Sequence, residues 1–359
     1  MSQLRIGVVG CGFMGSLHAA TLAQAANAEL AAVFDRDRQA AKKVAEEHAA
    51  SVADTLEELV AGFELDGLIV ATPDDLHAEP VYAAAAAGLA VLVEKPLAHT
   101  LSDARQMLAA CEEAGTLLMV GHILRFETVY ANLRLAVRGG VIGNVVSVFA
   151  RRHGLRTEAE RFKGRAHVID YLAVHDLDIL NWMREDAPVA VTATAAHGII
   201  SQRYGTPDVV VSVLQYGDGS IATVESGWTL PTSWNPQRAP AEWLPFGDVR
   251  LDVFGEEGML SLDFRNMNLI GVDEGGWRIP ETRHWPRLHG RVTGALREEV
   301  GHFLDCLAGN AEPVSTGWSA LAAVELCAAL HRSLRSSTSE ALPLNGSDFK
   351  FNSSERIVR

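Results

Sequence analysis

The chain has 359 residues, 48% of them hydrophobic, which favours two domains with real cores over one and excludes a disordered protein. Its 45 acidic against 31 basic residues give a formal net charge of −14, which argues against a nucleic-acid partner and against an anionic membrane surface. Cys11, Cys111, Cys306 and Cys327 lie far apart without a CxxC or Cys/His pattern, so free thiols in a reducing compartment are expected and metal ligation is not. No apolar stretch is long enough to span a bilayer, and the start, MSQLRIGVVG, lacks the pattern of a secretory leader. A cytoplasmic location is the expectation. NGS at 345–347 and NSS at 352–354 match glycan acceptors, but short polar tails produce such matches by chance.

In chain order, Leu4–Val9 reads as a strand and Met14–Ala26 as an Ala- and Leu-rich helix. Glu29–Phe34 is strand, Arg38–His48 helix, Gly67–Ala71 strand, Leu76–Ala87 helix, Ala90–Glu94 strand, Leu101–Ala114 helix and Thr116–Gly121 strand. Strands apolar on both faces that alternate with helices predict a parallel sheet covered on both sides, and right-handed crossovers make it doubly wound. After about Arg125 the pattern changes. A helix over Val129–Arg138 leads to the strand NVVSVFARR and a helix near Asp170–Met183. VVVSVLQY-GDG-SIATVESGW places Asp218-Gly219 between alternating strands, a strong hairpin signal; VRLDVFGEEGMLSLDF and MNLIGVDEGGWRI repeat it. Helices over Gly301–Ala308 and Ser319–Ser333 close the chain, and a frayed tail follows from Asn345. The fold class predicted is α/β: a doubly wound N-terminal domain over 1–125, an α+β domain for substrate binding and oligomerisation with an open, mostly antiparallel sheet over 126–344, whose C-terminal helix could pack back on the first domain, and a tail over 345–359.

GCGFMG sets Gly10, Gly12 and Gly15 in G-x-G-x-x-G spacing between the first strand and first helix, with Phe13 and Met14 inside the motif. The glycines allow a tight turn and close approach of the backbone to a pyrophosphate, and the helix N-terminus supplies N–H groups and a favourable dipole. Asp35 ends the second strand, where a carboxylate binds both ribose hydroxyls and repels a 2′-phosphate, so NAD is expected rather than NADP. Arg36 follows and could pair with such a phosphate. The bland alternative for Asp35 is capping of the helix that starts near Asp37.

Ligands of an open parallel sheet sit beyond the carboxyl ends of its strands. Those ends carry GCG, FDRD, then Thr72, Pro73, Asp75 and His77, then Glu94-Lys95-Pro96. These loops line one edge, which sets Lys95 toward a nicotinamide. The rival is a plain surface lysine with Glu94 as its exposed neighbour, but an unpaired amine at the end of a buried strand is costly.

GVVGCGFMG, ATPDDLHAEPVYAAAAAGLAVLVEKPLA and HDLDILNW, in this order and over nearly the whole chain, resemble the glucose–fructose oxidoreductase / inositol dehydrogenase / rhizopine-catabolism (Gfo/Idh/MocA) family. The resemblance implies a Rossmann domain plus an α/β domain on an open sheet whose outer face forms dimers or tetramers. It implies NAD or NADP, a sugar, inositol or sugar-derived substrate, a catalytic-site lysine at Lys95, and a cis peptide before Pro96. It also implies an arginine near the cofactor or substrate at Arg125, for which an interdomain salt bridge is the equal alternative.

On the helix, His175 is the best general acid/base candidate, since its unperturbed pKa lies near neutrality. Its bland reading is a structural histidine partnered by Asp178. The family usually carries Asp four residues before this His; here that position is Tyr171, and Asp170 is one residue too early. In a regular helix four residues share a face and five do not. Either the backbone re-aims Asp170 or Tyr171 makes the substrate contact, and a regular helix favours Tyr171. Asp176 and Asp178 read as surface or packing carboxylates. Arg152, in the RRHG stretch that ends the first strand of the second domain, is a further substrate-binding candidate. Trp228, Trp234 and Trp243 could stack on sugar but more often such loops pack at interfaces.

The function expected is an NAD-dependent oxidoreductase acting on a secondary alcohol of a sugar, sugar derivative or cyclitol, with Lys95 and His175 catalytic, no metal, and a homodimer or homotetramer as the working form. The alternatives are a glycoside hydrolase or eliminase working through transient oxidation, and a non-catalytic NAD(H)-binding regulator.

Overall fold

The structure is a computed structural model that describes residues 3–184, 186–231, 247–264, 271–273, 276–278 and 282–344. Trp234, Trp243, the two glycan-acceptor matches and the tail lie outside the described residues.

The elements run β1 (Leu4–Val9), α1 (Phe13–Leu22), β2 (Ala28–Phe34), α2 (Arg38–His48), β3 (Ser51–Val52), α3 (Leu56–Gly62), β4 (Gly67–Val70), α4 (Ala78–Ala86), β5 (Ala90–Glu94), α5 (Leu101–Ala114) and β6 (Leu118–Gly121). Next come α6 (Thr128–Arg138), β7 (Val145–Leu155), α7 (Arg156–Phe162), a π-helical turn (Ile169–Ala173), α8 (Val174–Met183), β8 (Pro188–Ala196), α9 (Ile199–Tyr204), β9 (Val209–Tyr216), β10 (Ile221–Leu230), β11 (Asp248–Gly255) and β12 (Met259–Asp263). Two small ribbons, β13 (Gly271–Asp273) with β14 (Gly276–Arg278) and β15 (Arg287–Leu288) with β16 (Arg291–Val292), precede α10 (Ala295–Leu307), α11 (Gly317–Ser336) and β17 (Glu340–Ala341).

Two compact units emerge. The first comprises residues 1–127 together with 283–324. Its sheet is parallel throughout, in the order β3-β2-β1-β4-β5-β6. This is the Rossmann arrangement, and the strand order reverses between β1 and β4. Val91, Leu92 and Val93 of β5 and Leu68, Ile69 and Val70 of β4 are fully buried, as strands covered on both faces require. The short β3 and α3 escaped the sequence reading because two residues, or seven spanning about two turns, show too little periodicity.

The second unit comprises residues 128–282 and 325–359. The sequence reading assigns 126–344 to this domain and lets the C-terminal helix pack back on the Rossmann domain; residues 283–324, which hold α10 and the start of α11, pack with the Rossmann sheet, where Met119 bridges to Thr316 and Val120 N–H donates to Ser315 O. The unit's sheet runs β12-β11-β7-β10-β9-β8-β17, antiparallel except for the β7–β10 pair. The Asp218-Gly219 hairpin forms as expected, with Gly219 at φ +88° and β9 paired to β10 from Gln215–Ile221 onward. No helix among the described residues is long and apolar enough to cross a membrane.

Candidate active site

The cofactor half of the site is built at the switch point of the first sheet. After β1 the backbone turns at Gly10, φ +87°, where an added Cβ would lie 2.6 Å from the Ala71 carbonyl oxygen. A Cβ on Gly15 would overlap the Gly10 carbonyl oxygen, whereas one on Gly12 would meet nothing within 4 Å. Gly10 and Gly15 therefore close the turn, and Gly12 leaves its surface open. Gly12 and Phe13 are exposed, Met14 half-buried, and no side chain caps the start of α1. Uncapped helical N–H groups behind an open glycine suit a pyrophosphate.

Asp35 is half-buried, and its carboxylate accepts the Cys11 N–H at 2.6 Å and the Asp37 N–H at 2.7 Å. Helix capping falls instead to Asp37, which accepts from Gln39 N and Ala40 N. A carboxylate has about four lone-pair sites, so two remain for ribose hydroxyls. Burial, helped by the Asp35 charge, pushes the Cys11 thiol up to about 12. Arg36 is engaged at the surface by Glu79, 3.0 Å away. These residues fit a dinucleotide.

Beyond β4, Thr72 is half-buried and Pro73 and Asp75 are exposed. His77 had been expected at the cofactor, but it is 1% exposed and its ring is spent on backbone. Its Nδ1 lies 3.0 Å from Pro96 O and 3.2 Å from Leu97 O, and its Nε2 3.0 Å from Thr72 O. It ties the Thr72 loop to the Lys95 turn. The Lys95–Pro96 peptide is cis, and Lys95 is half-buried. Glu94, also expected at the cofactor, turns into the interior instead: it is bonded to His18 Nε2 at 2.8 Å and accepts the Lys95 N–H at 3.2 Å. Arg125 is 3% exposed and donates to Val314 O at 2.6 Å, within the same unit.

In the second unit, the helix that carries His175 begins irregularly. Val174 N–H bonds to Ile169 O, a five-residue span, and Ile169–Ala173 forms a π turn. Such a turn is wider than an α turn and frequently occurs at functional sites. A π turn changes the helical period, so residue counts that hold in a regular helix do not carry across Ile169–Ala173 to Asp170 and His175. Both are half-buried. Asp170 holds His331 of α11, with Nε2 2.8 and 3.0 Å from its two oxygens. The His167 ring packs 4.5 Å from that of His331, and its Nδ1 accepts the Ile169 N–H. Burial, followed by the neighbouring His331, pushes His167 down to about 4, so it is neutral near pH 7. One potential ligand atom from each of His167, Asp170 and His331 lies within 4.8 Å of the others.

Tyr171 is half-buried. Its ring packs between Phe162 (4.6 Å) and Trp228 (5.3 Å), and Arg161 donates to its hydroxyl at 3.3 Å. Trp228 is fully buried in this aromatic cluster. Arg152 is corrected from a substrate ligand to a core ion pair: it is 6% exposed, clamps both oxygens of Asp176 at 2.8 and 2.9 Å, and donates to Tyr130 Oη. Asp176 and Asp178 are each 1% exposed, so they are packing carboxylates. His331, His167, His18 and Glu299 were missed by sequence reasoning. No spacing signal connects His331 to a residue 161 positions earlier.

Residues 4–122 match the Gfo/Idh/MocA oxidoreductase family with an NAD-binding Rossmann fold, and residues 130–261 match the Gfo/Idh/MocA C-terminal domain. The chain belongs to this family. This Gfo/Idh/MocA protein is 28% identical over 336 residues to inositol 2-dehydrogenase of Rhizobium meliloti, covering 92% of this chain and 97% of that one. It is 32% identical over 271 residues to 2,7-anhydro-N-acetylneuraminate hydratase of Escherichia coli, covering 72% and 70%. Among solved structures, GenD2 from gentamicin A biosynthesis in complex with NAD superposes with a TM-score of 0.82 at 25% identity, covering 96% of this chain and 97% of that one.

Proposed function

We infer that this protein is an NAD-dependent oxidoreductase acting on a secondary alcohol of a sugar, sugar derivative or cyclitol. The observation that carries the reading is the Lys95 turn, fixed at the carboxyl end of β5 by Glu94 and His77 beside the Gly10–Gly15 cradle. The inositol 2-dehydrogenase relative supports the substrate class. NAD, when bound, accepts or returns the hydride. Lys95 hydrogen-bonds the reacting oxygen and its charge favours the developing alkoxide. His175 takes or returns the hydroxyl proton, and Asp170, oriented by His331, holds a further substrate hydroxyl. Asp35 favours NAD over NADP.

A second reading, transient oxidation without net redox change, is favoured by the hydratase relative. A panel of cyclitols, aldoses and sugar derivatives followed by NADH absorbance separates the two. Steady NADH production supports the dehydrogenase; product formation with no accumulated NADH supports the second reading.

The working form is a homodimer or homotetramer through the second sheet. Met259, Phe254 and Ile221 align in register across β12, β11, β7 and β10 and are 52%, 40% and 44% exposed. A row of large apolar side chains on an open sheet face suits a subunit interface. Four thiols without a disulfide suit a cytoplasmic setting.

A further inference from the structure

Behind the Lys95 turn lies a cluster that the reaction above does not use. His18 from α1, Glu94 from the end of β5 and Glu299 from α10 each present a polar atom, all within 4.8 Å of one another. His18 and Glu299 are 0% exposed. Glu94 is satisfied by His18 and by the Lys95 N–H. Neither carboxyl oxygen of Glu299 has a hydrogen-bond partner, and neither does His18 Nδ1. An ionised carboxylate left in that condition is very costly, and two neighbouring carboxylates cannot both ionise in a dry interior.

We propose that Glu299 is a positioning residue that stays a neutral carboxylic acid at physiological pH, so that Glu94 is the sole negative charge of the cluster beneath Lys95. The proton resides on Glu299 because Glu94 has the cationic and N–H neighbours. Burial raises Glu94, but the hydrogen bond and charge of His18 and the charge of Lys95 outweigh it, and the net shift is downward. Glu299 is raised well above the usual carboxylate range, first by burial and then by the Glu94 charge. The titratable or charged groups on the segments packed against α10 include His18 of α1, His122, Arg125 and Glu127 in and around the 3-10 turn after β6, and Arg283 and His284, whose carbonyls accept the Ala295 and Leu296 N–H groups; Glu127 is paired with His284. Arg125 is directed to Val314 O. On α10 itself His302 lies one turn on and accepts the Val314 N–H. A second ionised Glu299 would bind Lys95 and His18 electrostatically and hold the lysine's proton too firmly for a group that must respond to the substrate oxygen. The protonation state of Glu299 stands apart from the proposed reaction; only its effect on Lys95 rests on that reading.

Infrared difference spectra of the full chain at pH 7, wild type against Glu299→Gln, test the protonation directly. The expected result is loss of one protonated-carboxyl carbonyl band that shifts in deuterium oxide. Thermal melts give an independent readout. A raised carboxyl binds its proton in the folded state over the whole window from about 4.3 upward to its folded pKa, so wild-type stability falls with rising pH there. The melting temperature of Glu299→Gln relative to wild type therefore climbs with pH across that window. In a pH profile of kcat/KM, Glu94→Gln moves the alkaline limb to lower pH, while Glu299→Gln leaves the position of that limb unchanged. Absence of the band at pH 7, or a melting difference flat with pH, shows an ionised Glu299 and overturns the proposal. If Glu299→Gln does not fold, titration of the band in wild type and Glu94→Gln decides. Its midpoint falls to lower pH when the Glu94 charge is removed, and an unmoved midpoint refutes the coupling. A band that behaves as expected, with an alkaline limb that Glu94→Gln does not move or that Glu299→Gln does, would leave the protonation intact and overturn only the link to Lys95.

Discussion

Asp35→Asn isolates what the second strand contributes to cofactor choice. The wild-type carboxylate already accepts two backbone N–H groups, from Cys11 and Asp37, and keeps about two lone-pair sites for a ribose. Asn retains one carbonyl acceptor and loses the charge. A hydrogen bond to a charged group contributes about 1.5–3 kcal/mol, so NAD affinity should fall roughly 10- to 150-fold. NADP affinity should fall less or rise, because the repulsion of its 2′-phosphate is relieved. The same change removes an anchor of the Gly-rich turn. The melting temperature of the free protein measures that share separately. Titration of both nucleotides against intrinsic Trp fluorescence gives the two affinities. An unchanged NAD-to-NADP ratio, with affinity and melting temperature falling together, would show that Asp35 serves the turn and not the ribose.

Lys95→Ala and His175→Ala should each lower turnover by about 10²–10⁴-fold while NAD titrations stay near wild type; near-normal turnover in either would remove that residue from its role. Asp170→Asn should reduce turnover more than Tyr171→Phe, which keeps its ring in the Phe162–Trp228 cluster and loses only the hydroxyl that accepts from Arg161, so its melting temperature should also stay close to wild type. Steady-state kinetics and melts on the two variants rank them. Arg152→Met alone should destabilise by about 3–5 kcal/mol by stranding the buried Asp176, whereas Arg152→Met with Asp176→Leu should recover most of that loss in urea unfolding.

The Rossmann half was legible because its signals are local. Near-continuous apolar strands, a glycine motif between strand and helix, and an acid at the end of the next strand each follow from short-range backbone geometry, and all formed where the pattern put them. The Asp218-Gly219 hairpin was legible for the same reason. By itself the sequence also determined which loops end the parallel strands, and so which residues could gather at one edge.

Tertiary structure decided which of those residues face inward. His77, Glu94 and Arg152 carry the side chains of ligands, yet each is consumed by a partner 19 to 76 positions away in the chain: Pro96 O, His18 and Asp176. It also decided the Asp170-Tyr171 step. Counting residues assumes a helical period of 3.6, and the π turn at Ile169–Ala173 changes that period locally. The turn, the Asp170–His331 bond and the Tyr171 aromatic contacts occur together. Glu299 makes the same point for charge: a glutamate next to another glutamate in the chain looks like a surface residue, and the packing of α10 against α1 and the 3-10 turn after β6 takes it out of water. Local sequence sets backbone preference; burial, partner and protonation depend on what arrives from elsewhere in the chain.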